Sequence, residues 1–114
     1  MQGDEGAPKA WLELTPQAAE GLVGIKAGDK LIVLTWLHLA ERDVLQVHPR
    51  GDINRSLTGV FATRSPDRPN PVGLHQVSVL EVKDQKLQVT PLEAINGTPI
   101  IDIKPVLTPL ASDR

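Results

Sequence analysis

The apolar runs of this chain are short, rich in β-formers and separated by turn residues. That spacing limits the fold more than any other feature, because it leaves little room for helix. "WLEL", Trp11 to Leu14, alternates apolar and polar and reads as a short strand. "LIVLTWLH", Leu31 to His38, is continuously apolar and reads as a central strand. "LTGVFA", Leu57 to Ala62, reads as a strand, and "LHQVSVLEV", Leu74 to Val82, alternates well and reads as a strand. "KDQK" is a hairpin-length connection into "LQVTPL". "IIDI" follows an Asn-Gly turn, and Pro99 and Pro105 bracket it and limit its pairing. "VLQVHPRGD" reads as a strand entering a turn, and "AGDK" as a turn. Helix is confined to short turns: "TPQAAEGL", with Thr15 as cap, Pro16 at the first helical position and Gly21 as stop, and "LAERD". The expected class is all-β, a small closed or partly open β-barrel with short helical turns.

A length of 114 residues suits one domain spanning residues 1–114. With 40% hydrophobic residues, such a domain buries roughly 65% of its unfolded surface and holds a modest core. Trp11 and Trp36 are most simply read as part of that core. Residues 108–114, ending in "ASDR", read as a frayed tail. The absence of cysteine excludes disulfides, thiolate metal sites and thiol nucleophiles, and is compatible with a reducing cytoplasm. No apolar run reaches the roughly 20 residues needed to span a bilayer, so no membrane partner is expected. The opening "MQGDEGAPK" lacks the features of a signal peptide. A net charge of −2 excludes a strongly basic nucleic-acid binder but leaves room for a local basic patch. One phenylalanine, two tryptophans and no tyrosine argue against stacking platforms for several bases.

The segment "TRSPDRPNPVGLH", Thr63 to His75, is stiffer than a plain connection requires. Ser65, Arg68 and Asn70 each precede a proline and are pushed toward extended backbone. Stiffness lowers the entropy cost of holding side chains in place. Arg64 and Arg68 offer planar forks for carboxylate or phosphate, Asn70 can donate and accept, and Gly73 permits close backbone approach. A solvated proline-rich connection is the alternative. His38, His48 and His75 lack the spacing of a metal site, and no metal is expected. His38 ends the most apolar run, where a structural histidine is the simpler reading. The Arg-Gly-Asp within "HPRGD" reads as a chance turn. The chain has no Gly-x-Gly-x-x-Gly, P-loop or Gly-x-Ser-x-Gly, so a Rossmann enzyme is unsupported. Asp102 and Lys104 share one face of the last strand, most simply as a surface ion pair.

"GVFATRSPDRPNPVGLHQVSVLEV" and "NGTPIIDIKP", with "LIVLTWLH" upstream, resemble the TsaA-like family, also called YaeB or TrmO. The resemblance runs from about Gln2 to Leu107. It implies a small β-barrel, usually a homodimer, with S-adenosylmethionine as cofactor. The implied activity is methylation of the exocyclic nitrogen of threonylcarbamoyl-adenosine next to the tRNA anticodon. A module that binds S-adenosylmethionine without methylating tRNA, or with another acceptor, is the alternative.

Carried over by position, the resemblance assigns cofactor contacts to Leu37, His38, Arg64, Leu74 and the run Thr90, Pro91, Leu92. Arg64, Arg68 and Asn70 are the substrate-contact candidates. His38 and Asp102 are the candidates for a base or orienting group at the acceptor nitrogen, with no choice between them at this level. Arg42, Arg50, Arg55, Arg64 and Arg68 are candidates for a tRNA-binding patch. The chain begins near the family's Pro-Arg-Gln-like element, at Gln2, so a preceding family strand is expected to be absent. Val106 stands where an aromatic usually follows Lys-Pro, and the C-terminal domain of longer members is expected to have no counterpart.

Overall fold

The computed structural model describes residues 7–107; the expectations for Gln2 and for residues 108–114 lie outside that range. Among the described residues seven strands form: β1 (Ala10–Glu13), β2 (Lys30–Trp36), β3 (Gln46–Val47), β4 (Thr58–Gly59), β5 (Val72–Lys83), β6 (Lys86–Thr90) and β7 (Ile100–Pro105). Five make one antiparallel sheet in the order β1-β6-β5-β2-β7, and β3 pairs with β4 separately. The sheet curls but does not close, so the partly open form of the expected barrel is the one observed. Among the described residues, no helix is long and apolar enough to cross a membrane.

β5 is the hinge of the curl. Val72 to Ser78 pair with β2, whereas Ser78 to Lys83 pair with β6. A register shift between Val79 and Glu81 bends the strand where it changes partner. Val79 accepts from the Gly28 amide at 2.8 Å and donates to the Asp29 carbonyl at 2.8 Å, so its backbone groups stay satisfied at the bend. Gly28 sits at φ +95, a conformation L side chains rarely adopt. A second irregularity, between Leu34 and Thr35, curves β2 against β7.

Alternation sets what lies inside. Leu31, Val33 and Thr35 of β2, Val77 and Val79 of β5, Leu87 and Val89 of β6 and Leu12 of β1 point inward, with Leu22 and Leu92 capping the core. β7 pairs only with β2, as its bracketing prolines suggest. Asp84, at φ +54, closes the two-residue β5–β6 hairpin.

Several local expectations are corrected. "LTGVFA" is a strand only at Thr58 and Gly59; Val60 to Ala62 form a 3-10 turn. The amide and hydroxyl of Thr63 each return to the Val60 carbonyl at 3.0 Å, which folds the chain back before a longer strand can form. "LAERD" forms no helix; Ala40 donates to the Leu37 carbonyl in a single turn. The tryptophans are not core. Trp11 is 42% exposed beneath Lys86, and Trp36 lies half-buried under Arg42. Thr15 Oγ1 accepts from the Ala18 amide at 3.1 Å, but the 3-10 helix spans Ala18–Leu22, with Gln17 as its N-cap and Gly21, the expected stop, inside it.

Candidate functional site

Beyond β2 the chain enters a turn, Leu37 to Arg42, which packs against the proline-rich loop. Pro66, Pro69 and Pro71 have no N–H, so the loop has few backbone donors of its own for its carbonyls. Donors come from the turn. Leu37 donates to Pro71 at 2.8 Å, and the Arg42 Nε to Pro69 at 2.7 Å. The Arg42 Nη2 reaches the Asn70 Oδ1 at 3.1 Å. In the other direction, the Arg68 amide donates to the Glu41 carbonyl at 3.0 Å, and Asp67 Oδ1 accepts from the Glu41 amide at 2.9 Å.

These joined segments wall a cavity of about 310 Å3, completed by the run from Glu93 to Thr98. That size lies at the lower end for small-molecule pockets. Leu37, Leu39, Ala40, Pro66 and Ile95 supply apolar walls, and His38, Asp67, Glu93 and Thr98 supply polar groups. The lining holds two carboxylates and no lysine or arginine, which favours a cationic ligand with an apolar body.

The structure brings only part of the expected set to this cavity. Leu37 and exposed His38 line it. Thr90, Pro91 and Leu92 lead directly into its Glu93 wall. The Thr90 hydroxyl and the Leu92 amide both donate to Pro8, at 2.8 and 3.1 Å, which anchors that wall to the N-terminal side of β1. Arg64 is exposed, and among the described residues its guanidinium is in no hydrogen bond or ion pair. Leu74, 49% exposed, projects from the outer face of β5, opposite to its inward neighbours Gly73 and His75. Asp102 lies elsewhere, in a groove of about 400 Å3 between the unpaired edges of β1 and β7, with Glu13 and Leu14. Its Oδ1 accepts from the Ile103 amide at 2.8 Å.

Arg68 turns into its own loop. Its Nη2 donates to the Val60 carbonyl and, at 2.7 Å, to the Thr63 carbonyl, while its buried Nε has no partner among the described residues. Of the other basic-patch candidates, Arg42 is engaged as described and Arg55 is exposed; the Arg50 side chain lies outside the described set. His48 donates from Nδ1 to the Arg55 carbonyl at 2.8 Å and closes its own loop, since a carbonyl can only accept. Among the described residues, no group of three His, Cys, Asp or Glu is placed to hold a metal ion.

Behind the Leu37 wall sits a polar pair that the sequence reading missed. Thr35 Oγ1 lies 2.9 Å from His75 Nε2, and Thr35 is 2% exposed. Desolvation by burial pushes the His75 pKa below its ordinary 6.5. A β-carbon placed on Gly73 would stand 2.6 Å from Thr35 Oγ1, 2.9 Å from His75 Nε2 and 3.2 Å from a Leu37 methyl. The expected close approach at Gly73 is therefore present. A threonine inside an otherwise apolar strand was the available signal for the pair; Asp67, Glu93 and the two-way use of Arg42 carried none.

Known proteins supply the family. A probable S-adenosyl-L-methionine-binding protein of Methanocaldococcus jannaschii is 50% identical over 97 residues, covering 82% of this chain and 77% of that protein. A second, from Methanothermobacter thermautotrophicus, is 45% identical over 104 residues, covering 91% and 74%. The crystal structure of TrmO from Pseudomonas aeruginosa superposes with a TM-score of 0.66 at 27% identity, over 93% of this chain. This chain spans 46% of that solved chain, about half its length. Residues 2–111 match the family described as the tRNA-methyltransferase O N-terminal domain, and the chain belongs to that family.

Proposed function

We propose that this chain binds S-adenosylmethionine in the Leu37–Thr98 cavity and methylates the exocyclic nitrogen of threonylcarbamoyl-adenosine next to the tRNA anticodon. The cavity itself carries the reading: apolar walls with two carboxylates and no basic side chain suit a ligand that joins a flat base to cationic groups. Relatives described as S-adenosyl-L-methionine-binding proteins support it. When bound, the cofactor supplies an electrophilic methyl group on a positively charged sulfur.

The protein's part is mainly placement, since orienting two reactants can contribute about 7–11 kcal/mol. Leu37, Leu39 and Ile95 hold the apolar body, and Asp67 and Glu93 attract the cation. Thr90, Pro91 and Leu92 act by fixing the wall that Glu93 begins. His38 stands at the rim and is better placed than Asp102 to orient the acceptor nitrogen or take its proton, because Asp102 lines the separate β1–β7 groove. Arg64, exposed and uncommitted among the described residues, suits the threonyl carboxylate of the substrate. Arg68 and Asn70 act one step back, by holding the loop that carries Arg64. A homodimer belongs to this reading, and the outward pair Val72 and Leu74 of β5, 42% and 49% exposed, is the surface offered for it. Light scattering at a dimer mass is the expected result, and a monomer mass at all concentrations would refute that part. A cytoplasmic location goes with action on tRNA.

The deciding assay uses methyl-labelled S-adenosylmethionine with tRNA that carries, or lacks, threonylcarbamoyl-adenosine. Label confined to the modified tRNA is the expected result. Cofactor binding in a calorimeter without transfer would favour the binding-module reading, which the names of the relatives keep in play. Absence of binding would remove both.

A further inference from the structure

We propose that Arg42 is a positioning residue that sets the width of the cofactor cavity by clipping its two loop walls together. The inference rests on the reading of that cavity as the S-adenosylmethionine site. Arg42 is held from three directions. Its Nε donates to the Pro69 carbonyl at 2.7 Å, its Nη2 to the Asn70 side chain at 3.1 Å, and its guanidinium carbon lies 5.1 Å from the centre of the Trp36 ring. The ring belongs to the rigid end of β2, and the two acceptors belong to the proline-rich loop. One side chain therefore bridges the sheet and the loop.

The consequence follows from where the walls lie. Leu37 to Ala40 form one wall of the cavity, and Pro66 with Asp67 forms the facing one. Arg42 and Glu41 sit immediately beyond the first wall, and Arg68, Pro69 and Asn70 immediately beyond the second. Bonds between these flanking residues fix the separation of the walls. The Leu37, Glu41 and Arg68 amides also join turn and loop, and Arg42 adds a side chain that ties both of them to the Trp36 ring. A planar fork that also sits over an aromatic ring is a task for arginine; a lysine ammonium is a point charge and cannot meet both acceptors and the ring in that geometry. Arg42 is thus held by three partners within the protein, although its surface remains exposed.

The test compares Arg42→Lys and Arg42→Ala with the parent protein. Hydrogen exchange in the free protein comes first. Both variants are expected to exchange faster at the Leu37, Glu41 and Arg68 amides, the three amides that cross between turn and loop, with no change at Val33 and Val77 in the core. Calorimetry with S-adenosylmethionine should then show affinity weakened about tenfold in both variants. In the methylation assay the KM for the methyl donor should rise while kcat changes by less than about threefold. Asn70→Ala, which removes one of the two acceptors, should give a smaller change in the same direction. A lysine variant matching the parent in exchange and affinity, beside an alanine variant that loses only tRNA affinity, would overturn the clip and make Arg42 an RNA-facing charge. Faster exchange with unchanged cofactor affinity would overturn it as well. If the parent protein binds no S-adenosylmethionine, the reading of the cavity fails, while the exchange rates still decide whether Arg42 joins the loops.

Discussion

Replacing Gly73 by alanine tests whether the packing behind the cavity is as tight as the distances imply. The added methyl would meet Thr35 Oγ1 at 2.6 Å and His75 Nε2 at 2.9 Å, both closer than real contacts allow. Thr35 cannot step aside easily: it is β-branched, 2% exposed and bonded to His75. Overpacking a filled site costs about 1–3 kcal/mol. Separating the pair leaves the buried hydroxyl without a partner, a further cost of about 1–3 kcal/mol. Removing a strand glycine offsets about 0.5–1 kcal/mol of this. The net expectation is destabilisation by about 2–4 kcal/mol, or a Tm lower by roughly 8–16 °C at about 4 °C per kcal/mol for a domain of this size. Thermal melts followed by circular dichroism measure it, with Gly21→Ala as the control. A methyl added at Gly21 would have no neighbour within 4 Å, so alanine there should be neutral or slightly stabilising. In a Thr35→Ala background the Gly73→Ala change should cost less, because the nearest obstacle is gone. A Gly73→Ala protein that melts within about 2 °C of the parent would refute the argument.

Burial holds the His75 pKa below its ordinary value, so the fold favours neutral imidazole. The stabilisation this brings is fully present above pH 6.5 and is lost as pH falls through the lowered folded value. Urea titrations at pH 7.5 and pH 5 should show a steeper loss for the parent than for His75→Gln; equal losses would exclude the assignment. Arg68→Ala strips a donor from the Val60 and Thr63 carbonyls and should cost about 1–3 kcal/mol in urea unfolding, and Arg68→Lys should recover only part of it. A fully stable alanine variant would show that Arg68 does not hold the loop. Arg64→Ala should leave the melting temperature unchanged within about 2 °C yet lower methylation of tRNA about tenfold or more, and unaltered methylation would end its assignment to the substrate carboxylate.

Periodicity alone carried much of the fold. Alternation within Leu74–Val82, clearest from Gln76 to Val79, made β5 legible, and the continuous run from Leu31 read as a central strand. Prolines at 99 and 105 marked β7 as an edge because they cannot donate to a second neighbour. The stiffness of Thr63–His75 was equally local, since each residue before a proline is restricted by its own neighbour. The motif in that segment pointed to the family. These are properties of residues and their immediate neighbours, and no tertiary contact is needed to read them.

What the loop's side chains do was decided in three dimensions. Arg64 and Arg68 look alike in the sequence, yet one faces solvent and the other is spent on the carbonyls of Val60 and Thr63. Arg42 read as a surface cation until Trp36, Pro69 and Asn70, up to 28 positions away, were brought around it. The strand expected at Val60–Ala62 gave way to a turn because Thr63 and Arg68 all converge on one carbonyl. Asp102 and His38 were equal candidates in the chain and lie in different depressions of the fold. Hydrogen bonds between residues distant in sequence leave no periodic trace, so the partner of each polar group was fixed only when the sheet curled and the two loops met.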